Sequence, residues 1–439
     1  MVAIVILPFV TGGLVYFLSK RPIAAVVAVV AAGAMARLYV DLFGMKARPE
    51  HFATVLFCLA LPFWKRYQWP RPRWALADLF LVLYMAANLL SSLIMSVDPP
   101  KTFRWAMQQV LVILPYFLLR IFCFDRERFR KAFNILLIVG AAQAAIGVFC
   151  FFSNLAFDTE FGMEMGQYGA IPGTYGVDYE ANILGAISAA AFVMMLVMYL
   201  KERRPILLWG TAVTFAGMLI ALARSAIVAS VIAVGLFAIL SIKAGLIDMS
   251  GFKRVVGALL VTCMVIVPFI IPLYVDRFST IDVSDISADD DTAFRVVALV
   301  TAMDGITAHP ILGNGTSSFQ LLVSYSDMDL GDSDKGTWIS NTELRVLHDT
   351  GIVGFGLLLC FLGNLAWRAV KILKQEWIAE LLALLLACVV YAITFQATEG
   401  TLMEFFWVHI GLLGCAISVY ENQLKQANSN SNSSGNAYT

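Results

Sequence analysis

Ile339-Ser-Asn-Thr-Glu-Leu-Arg-Val-Leu-His-Asp-Thr-Gly-Ile-Val-Gly354 is the stretch from which the architecture of this chain is best worked out. It closes the one long polar segment of the sequence and leads directly into an apolar run. Ser340 and Glu343 have the spacing of a capping box, which predicts that a helix begins here and continues through Gly351. The large polar segment therefore ends where a membrane-spanning helix begins.

The composition excludes a soluble globular protein. Sixty per cent of the 439 residues are apolar and only 14% are charged, and the mean hydropathy is +0.78. A helix that crosses a bilayer needs roughly 20 mostly apolar residues, and such runs recur along the chain. They predict an all-α polytopic membrane protein of about 12–13 transmembrane helices, with one large periplasmic loop that contains short helices. The expected spans are 2–19, 22–43, 52–64, 75–96, 106–123, 132–153, 181–199, 205–223, 225–242, 255–275, 350–367, 378–396 and 402–420.

The distribution of basic residues predicts the orientation. Lysines and arginines fall in every second connection, which the positive-inside rule assigns to the cytoplasm. These clusters are Lys20–Arg21, Lys65–Arg73, Arg126–Lys131, Lys201–Arg204, Lys243–Arg254 and Arg368–Lys374. We therefore divide the chain into helices 1–10 (residues 1–275), a periplasmic loop (276–349), closing helices (350–420) and a disordered cytoplasmic tail (421–439), whose Asn and Ser content is too polar to fold.

The net charge and the spacing of the cysteines exclude some kinds of partner and site. The net charge is zero, so the bulk electrostatics imply no nucleic-acid partner. None of the seven cysteines forms a CxxC pair, so the sequence indicates neither a zinc site nor a disulfide framework. Within the polar loop, residues 292–307 predict an amphipathic helix that Pro310 and Gly313 stop, followed by an irregular stretch from 314 to 334.

Two arginines are candidates for binding an anionic ligand. Arg224 lies between two apolar runs at the outer boundary, where it is either an interfacial anchor or a guanidinium group for a lipid-linked phosphate. Arg295 lies on the predicted loop helix, where a solvated helix face is the commoner role.

Several titratable residues could act as a base near the outer surface. His348 has the side chain whose ordinary pKa is nearest neutral pH, although a polar residue that caps a membrane helix is the commoner case. Glu343, Asp178 and Glu180 are the carboxylates close to the same boundary. No pair of these residues has a spacing specific enough to name a reaction.

Three stretches resemble the O-antigen ligase and polymerase superfamily of bacterial membrane glycosyltransferases. The segment Gly173–Gly185 resembles its G-x-x-x-x-P-N-x-x-(A/G) entry to a span, and Leu222–Ala226 resembles its S-R-(G/S) motif. The third stretch begins at Arg295 and includes Ala308-His-Pro-Ile-Leu-Gly-Asn-Gly-Thr-Ser-Ser-Phe319. Together with Leu347-His-Asp-Thr-Gly-Ile-Val-Gly354, it resembles the family's P-L-G-x-G and L-x-x-x-G-(I/V)-x-G patterns.

The resemblance implies an enzyme of the GT-C type in the bacterial inner membrane, with its active site facing the periplasm and no cofactor or metal. Its donor would be an undecaprenyl-diphosphate-linked glycan, and its acceptor another glycan or lipid A-core. Arg224 and Arg295 fall on the family's two donor-diphosphate arginines, and two fixed cations suit a diphosphate leaving group.

The sequence departs from the family at one position. The family's histidine before Asn is Ser340 here, so the general base remains open between His348, Glu343 and Asp178. This departure favours a polymerase of surface polysaccharide over an O-antigen ligase. A secondary transporter or lipid-linked-glycan flippase is the alternative of another class. The charges crowd at the outer boundary and no internal repeat is visible, which disfavours that reading.

The orientation gives the first testable prediction. Reporter fusions after Asn314 and after Gln423 should report opposite sides of the membrane, because the alternation of basic connections places them so. Alkaline phosphatase should be active only in the first fusion, and a green fluorescent protein only in the second. The same reporter active at both positions would overturn the assigned orientation.

Overall fold

The computed structural model describes residues 2–42, 45–67, 74–164, 173–243, 249–279, 290–322 and 338–435. Within these ranges the chain is helical almost throughout, which confirms the predicted all-α class. The helices are α1 (Val2–Lys20), α2 (Pro22–Ala32), α3 (Pro49–Ala60), α4 (Leu76–Ile94), α5 (Pro99–Phe122), α6 (Arg126–Phe157), α7 (Ala181–Glu202), α8 (Pro205–Ile220), α9 (Arg224–Lys243), α10 (Met249–Ser279), α11 (Asp290–Ala308), α12 (Phe319–Leu322), α13 (Thr342–Leu373), α14 (Ala379–Thr394) and α15 (Glu404–Gly435).

Two short antiparallel hairpins complete the described structure. Strand β1 (Val40–Leu42) pairs with β2 (Met45–Ala47), and β3 (Met163–Glu164) pairs with β4 (Gly173–Thr174). Both hairpins lie in connections between helices, so they shape loops and form no sheet core.

Seven helices of the described residues are long and apolar enough to cross a bilayer. They are α4, α5, α6, α7, α9, α10 and α13. Helices α1 and α2 pass the same test only when they are taken together as one span. The chain bends by 119° between them, from Lys20 to Pro22. Proline lacks the N–H that would continue the hydrogen-bond ladder, which explains the break at this point. Each of the thirteen apolar runs nevertheless contains a helix.

The expected span 22–43 is shorter in the structure. Helix α2 ends at Ala32, and a loop with the β1–β2 hairpin follows. Arg37 interrupts the apolar run and is held by another loop: its guanidinium donates to the Tyr179 carbonyl oxygen at 3.1 Å. A charged side chain anchored at the bundle end cannot continue a membrane span.

The C-terminal segment also differs from expectation. Composition predicts disorder in residues 421–439, whereas α15 continues to Gly435. No proline or glycine interrupts the chain between Gly414 and Gly435, so nothing in the sequence stops the helix earlier.

Helix α7 forms the centre of the bundle. Nearly all of its side chains are buried, and it packs against α8, α9 and α14. Around it, α13 packs along α4, and α15 packs along α5. These pairings bring the C-terminal end of α4 and the N-terminal ends of α7, α13 and α15 to one end of the molecule, where the candidate site lies.

A glycine joint interrupts α13 near its outer end. Gly351 has φ 61° and ψ −168°, a conformation that essentially only glycine adopts. A Cβ at this position would collide with the Ile311 backbone and lie 2.7 Å from the Gly313 amide nitrogen. The Ile352 amide donates to the Pro310 carbonyl oxygen at 2.9 Å, so the loop after α11 docks directly on the joint. The close contact between this loop and α13 therefore requires glycine both at Gly313 in the loop and at Gly351 in the helix.

Replacing Gly351 with alanine should destabilise the protein. Backbone strain alone costs about 1–3 kcal/mol, and the collision with the docked loop adds to it. Thermal unfolding of the purified protein in detergent measures the loss. Gly356→Ala is the matched control, because it lies on the same helix with nothing within 4 Å of the added Cβ. Equal melting temperatures for the two variants would contradict the role assigned to the joint.

Candidate functional site

The turn between α14 and α15, residues 395–403, joins the outer ends of several helices. The Thr342 amide donates to the Phe395 carbonyl oxygen at 2.9 Å, and the Gly400 amide donates to the Thr342 hydroxyl at 3.1 Å. The Thr342 hydroxyl in turn donates to the Thr398 carbonyl oxygen at 3.2 Å. The first residue of α13 is thus fixed to this turn by three hydrogen bonds.

A buried arginine lies beneath the turn. The Arg345 guanidinium is 2.8 Å from a Glu399 carboxylate oxygen and 3.2 Å from an Asp349 carboxylate oxygen. The three side chains are only 3%, 9% and 2% exposed in the order Arg345, Glu399, Asp349. The Arg345 guanidinium also donates to the Thr401 hydroxyl at 3.2 Å. Buried charges persist only when they are paired, and this cluster meets that condition.

Asp349 links the arginine to His348. One carboxylate oxygen of Asp349 lies 3.1 Å from His348 Nδ1, while the other accepts from the Ser317 amide at 2.8 Å. His348 is fully buried, and its Nε2 has no hydrogen-bond partner among the described residues. A Cβ built on Gly305 of α11 would lie 2.7 Å from that Nε2. The free ring nitrogen of His348 is therefore covered by α11.

The loop after α11 and the start of α13 form one unit. The amides of Asn314 and Gly315 donate to the His348 and Asp349 carbonyl oxygens at 2.9 and 3.0 Å. The Asn314 side-chain amide also donates hydrogen bonds to the carbonyl oxygens of Gly305 at 2.9 Å and of His348 at 3.1 Å. The two parts of the third stretch that carries the resemblance are thereby in direct contact.

The other two stretches also pack together. A Cβ on Gly185 would lie 2.6 Å from the Ala223 Cβ and 3.3 Å from the Ala226 Cβ, so α7 approaches the α8–α9 turn closely. Glu180, just before α7, accepts from the Thr398 hydroxyl. Because the backbone of Thr398 is bonded to α13, this contact brings all three stretches to the same end of the bundle.

These features agree with the comparison to known families. Residues 209–359 match the family model described as O-antigen ligase. This part of the chain is therefore similar to the O-antigen ligase family, which supports the resemblance drawn from the motifs. No curated protein is similar enough to the chain to count as a match. The matched range contains Arg224, Arg295, Glu343 and His348, whereas Asp178 and the turn with Glu399 lie outside it.

The three proposed bases differ in how deeply they are buried. Asp178 is buried, and both its carboxylate oxygens lack a hydrogen-bond partner among the described residues. Burial, with a smaller contribution from the charge of Glu50, raises the pKa of Asp178 well above its ordinary range. The nearby Gln143 amide donates instead to the Ala34 carbonyl oxygen at 3.1 Å. Asp178 therefore lies too deep to meet a glycan at the surface.

Glu343 is the least buried of the three. It is half-buried in the first turn of α13, where one carboxylate oxygen accepts from the Gln396 amide at 2.6 Å and the other has no hydrogen-bond partner in the described structure. The helix cap differs by one residue from the prediction. Asn341, rather than Ser340, is the N-cap, and its side chain accepts from the Leu344 amide at 2.8 Å. Asparagine is at least as good a cap as serine, so Ser340 is displaced from that role.

The two arginines expected at the donor site are only partly described. Arg224 is the first residue of α9 and is exposed at the turn that packs against α7. Arg295 lies on α11, and its side chain lies outside the described structure. Their expected convergence on one diphosphate therefore stays a prediction. No group of three or more His, Cys, Asp or Glu side chains in the described ranges is placed to hold a metal ion.

The sequence reasoning missed Arg345 and Asp349. Their spacing of four residues places them on one helix face, which is a signal for a pair. Nothing in the sequence indicated that both are buried or that Glu399, over 50 residues later, completes the cluster. From the sequence alone, Arg345 and Asp349 could be recognised only as a pair of charged residues within the segment that leads into a membrane span.

Removing the buried guanidinium of Arg345 should destabilise this protein severely. Arg345→Met leaves Asp349 and Glu399 buried without a partner, which costs about 3–5 kcal/mol. Arg368→Met is the matched control: Arg368 lies at the other end of α13, and its ion pair with Glu421 at 2.8 Å is partly exposed and is expected to contribute about 0–1 kcal/mol. Thermal unfolding in detergent compares the two variants. Equal losses would show that the buried cluster does not hold the site together.

Proposed function

We propose that this chain is a glycosyltransferase of surface polysaccharide assembly that uses an undecaprenyl-diphosphate-linked glycan as donor. The supporting observation is the meeting of the three family-like stretches at one end of the bundle, around the turn 395–403. The basic connections of the sequence favour the periplasmic side for this end, in the bacterial inner membrane.

The reaction forms one glycosidic bond and breaks one phosphate ester. An acceptor hydroxyl oxygen attacks the anomeric carbon of the donor sugar, and the bond from that carbon to the diphosphate oxygen breaks. The electron pair leaves with undecaprenyl diphosphate. Arg224 and Arg295 are proposed to stabilise the growing negative charge, since fixed guanidinium groups can form paired hydrogen bonds with phosphate oxygens without a metal.

Glu343 is the proposed general base, in preference to His348 and Asp178. It lies three residues after Ser340, which occupies the position of the family's histidine, and it is the only one of the three candidates that reaches the surface of the described structure. Its second carboxylate oxygen is buried and has no described hydrogen-bond partner, so it would take the proton of the acceptor hydroxyl after the half-buried side chain turns toward the surface. His348 could act only if α11 moved away from its Nε2.

The choice between polymerase and ligase depends on the acceptor. Ser340 in place of the family's histidine favours a polymerase that extends a glycan, and a ligase that transfers the glycan to lipid A-core is the second candidate. Both remain distinct from a flippase, which moves the lipid-linked glycan without breaking the bond to diphosphate.

The arginine assignment predicts the behaviour of conservative variants. Arg224→Lys and Arg295→Lys keep the charge but lose the planar fork, so polysaccharide synthesis in cells should fall at matched protein levels. Arg254→Lys is the control, because Arg254 is exposed near the start of α10, in a connection assigned to the cytoplasm. Glycan of normal amount and length in both Arg224→Lys and Arg295→Lys would contradict the assignment.

If Glu343 is the general base, the transfer activity of the carboxylate and histidine variants should follow a definite order. Glu343→Gln should lower transfer about 10²–10⁴-fold, the usual contribution of general base catalysis. Asp178→Asn should keep most activity, because the buried carboxyl does not reach the acceptor. Polysaccharide output at matched protein levels is the measurement, with exposed Glu376→Gln as control. Full activity in Glu343→Gln together with loss in His348→Ala would return the role to the histidine.

A further inference from the structure

Three carboxyl groups from distant segments form a buried group, which we call the acid cluster. Glu50 lies in the first turn of α3, Asp178 in the loop before α7 and Glu404 at the start of α15. They are 0%, 0% and 1% exposed in that order. None of their six carboxylate oxygens has a hydrogen-bond partner among the described residues. The charge of Glu50 acts on both Asp178 and Glu404, so the three groups interact electrostatically.

The loop after α2 packs against the elements that carry the acid cluster. A Cβ on Gly33 would lie 3.4 Å from the Glu404 Cβ. The Gln143 side chain of α6 interacts with Asp178 and donates to the Ala34 carbonyl oxygen at 3.1 Å. The same short loop thus joins α6 and α15 beside the acid cluster, which helps to shield its members from water.

A buried hydroxyl group faces the acid cluster. Thr54 lies one turn after Glu50 on α3, is fully buried and interacts with the Glu404 carboxyl group. Its hydroxyl oxygen has no hydrogen-bond partner in the described structure, and neither has the side-chain oxygen of Gln143. An ionised carboxylate only accepts hydrogen bonds, whereas a protonated carboxyl group also donates one. Protonated carboxyl groups can therefore supply donors that this buried surrounding lacks.

The positive charge at the acid cluster is too small to balance three carboxylates. Arg48 Nη1 lies 3.2 Å from a Glu50 carboxylate oxygen. His51 is neutral at neutral pH, because burial, with a smaller contribution from the charge of Arg48, lowers its pKa to about 4. The Arg37 guanidinium stacks on the Tyr175 ring at 3.9 Å and is already engaged. Three ionised carboxylates beside one arginine would leave two negative charges buried without compensation, which is a costly arrangement.

The other titratable groups near the acid cluster add no positive charge. His409 of α15 donates from Nδ1 to the Phe405 carbonyl oxygen at 2.7 Å, and its Nε2 accepts from the Tyr391 hydroxyl at 3.1 Å. These roles are those of a neutral imidazole ring. Glu180 accepts from the Thr398 hydroxyl and is itself an acid.

We propose that the acid cluster is a proton-binding site, in which Asp178 and Glu404 each hold a proton at neutral pH while Glu50 stays ionised beside Arg48. A proton suits the site better than a metal ion, because no group of three or more His, Cys, Asp or Glu side chains in the described ranges is placed to hold one. Loss of the protons would charge the cluster and repel α15 from α3. The packing of this end of the bundle would therefore depend on pH, whatever reaction the protein catalyses.

Infrared spectroscopy of the purified full chain tests the site directly, because protonated carboxyl groups and carboxylates absorb at different frequencies. The detergent must lack carbonyl groups, since ester carbonyl groups absorb in the same region. Wild type should show the protonated-carboxyl band at neutral pH, and Asp178→Asn and Glu404→Gln should each weaken it. Absence of the band in wild type, or an equal band in wild type and both folded variants, would overturn the site.

Thermal unfolding provides a second test, because amide side chains mimic protonated acids. A carboxyl group that is protonated only in the folded state contributes stability that is lost as the pH rises, so the melting temperature of wild type should fall between about pH 5 and pH 8. Asp178→Asn and Glu404→Gln should reduce this fall and be at least as stable as wild type at the upper end. Lower melting temperatures in both variants there would overturn the site.

Glu421→Gln is the matched control on α15. The Glu421 carboxylate is 2.8 Å from an Arg368 guanidinium nitrogen, so neutralising it should lower the melting temperature at neutral pH, opposite to the effect expected of Glu404→Gln. Exchange of Na⁺ for K⁺ at constant ionic strength should leave the melting temperature of wild type unchanged. A stabilisation by Na⁺ that Glu404→Gln abolishes would replace the proton with a metal ion and overturn the proposal.

Discussion

The ion cluster of Arg345, Asp349 and Glu399 is the interaction on which the outer end of this molecule depends. One guanidinium joins α13 to the turn before α15, and Asp349 extends the cluster to His348 and to the Ser317 amide. Because each member is almost fully buried, none of the charges can be satisfied by water instead. The cluster therefore fixes the start of α13 against its neighbours and places Glu343 at the surface above it.

The glycine joint explains why two separate motifs of the superfamily belong together. Gly351 breaks α13 in a conformation that essentially only glycine adopts, and the break exposes amide groups to the loop after α11. That loop fills the break with its own carbonyl groups, as the bond from the Ile352 amide to the Pro310 carbonyl oxygen shows. Helix α11, which carries Arg295, is thereby attached to the helix that carries Glu343. The arginine that we propose to bind the donor and the proposed base are thus on elements that are physically joined.

Hydropathy was sufficient to predict the all-α class and a helix in each apolar run, because burial in lipid leaves few alternatives to a helix. It could not predict where α2 stops, since Arg37 is anchored by a contact with a loop more than 100 residues away. The motifs identified this end of the bundle as the candidate site, but local pattern could not distinguish a half-buried Glu343 from a fully buried His348. That distinction depends on Gly305 of α11, which covers the histidine ring only in the folded bundle.

The central claim is that this chain breaks the bond between a glycan and its lipid diphosphate. The direct test reconstitutes the purified protein in liposomes with a labelled undecaprenyl-diphosphate-linked glycan, in the presence of EDTA. The account predicts longer or transferred glycan together with free undecaprenyl diphosphate, and loss of both products in Glu343→Gln. Intact lipid-linked glycan that only changes leaflet, without release of undecaprenyl diphosphate, would contradict the account and identify a flippase.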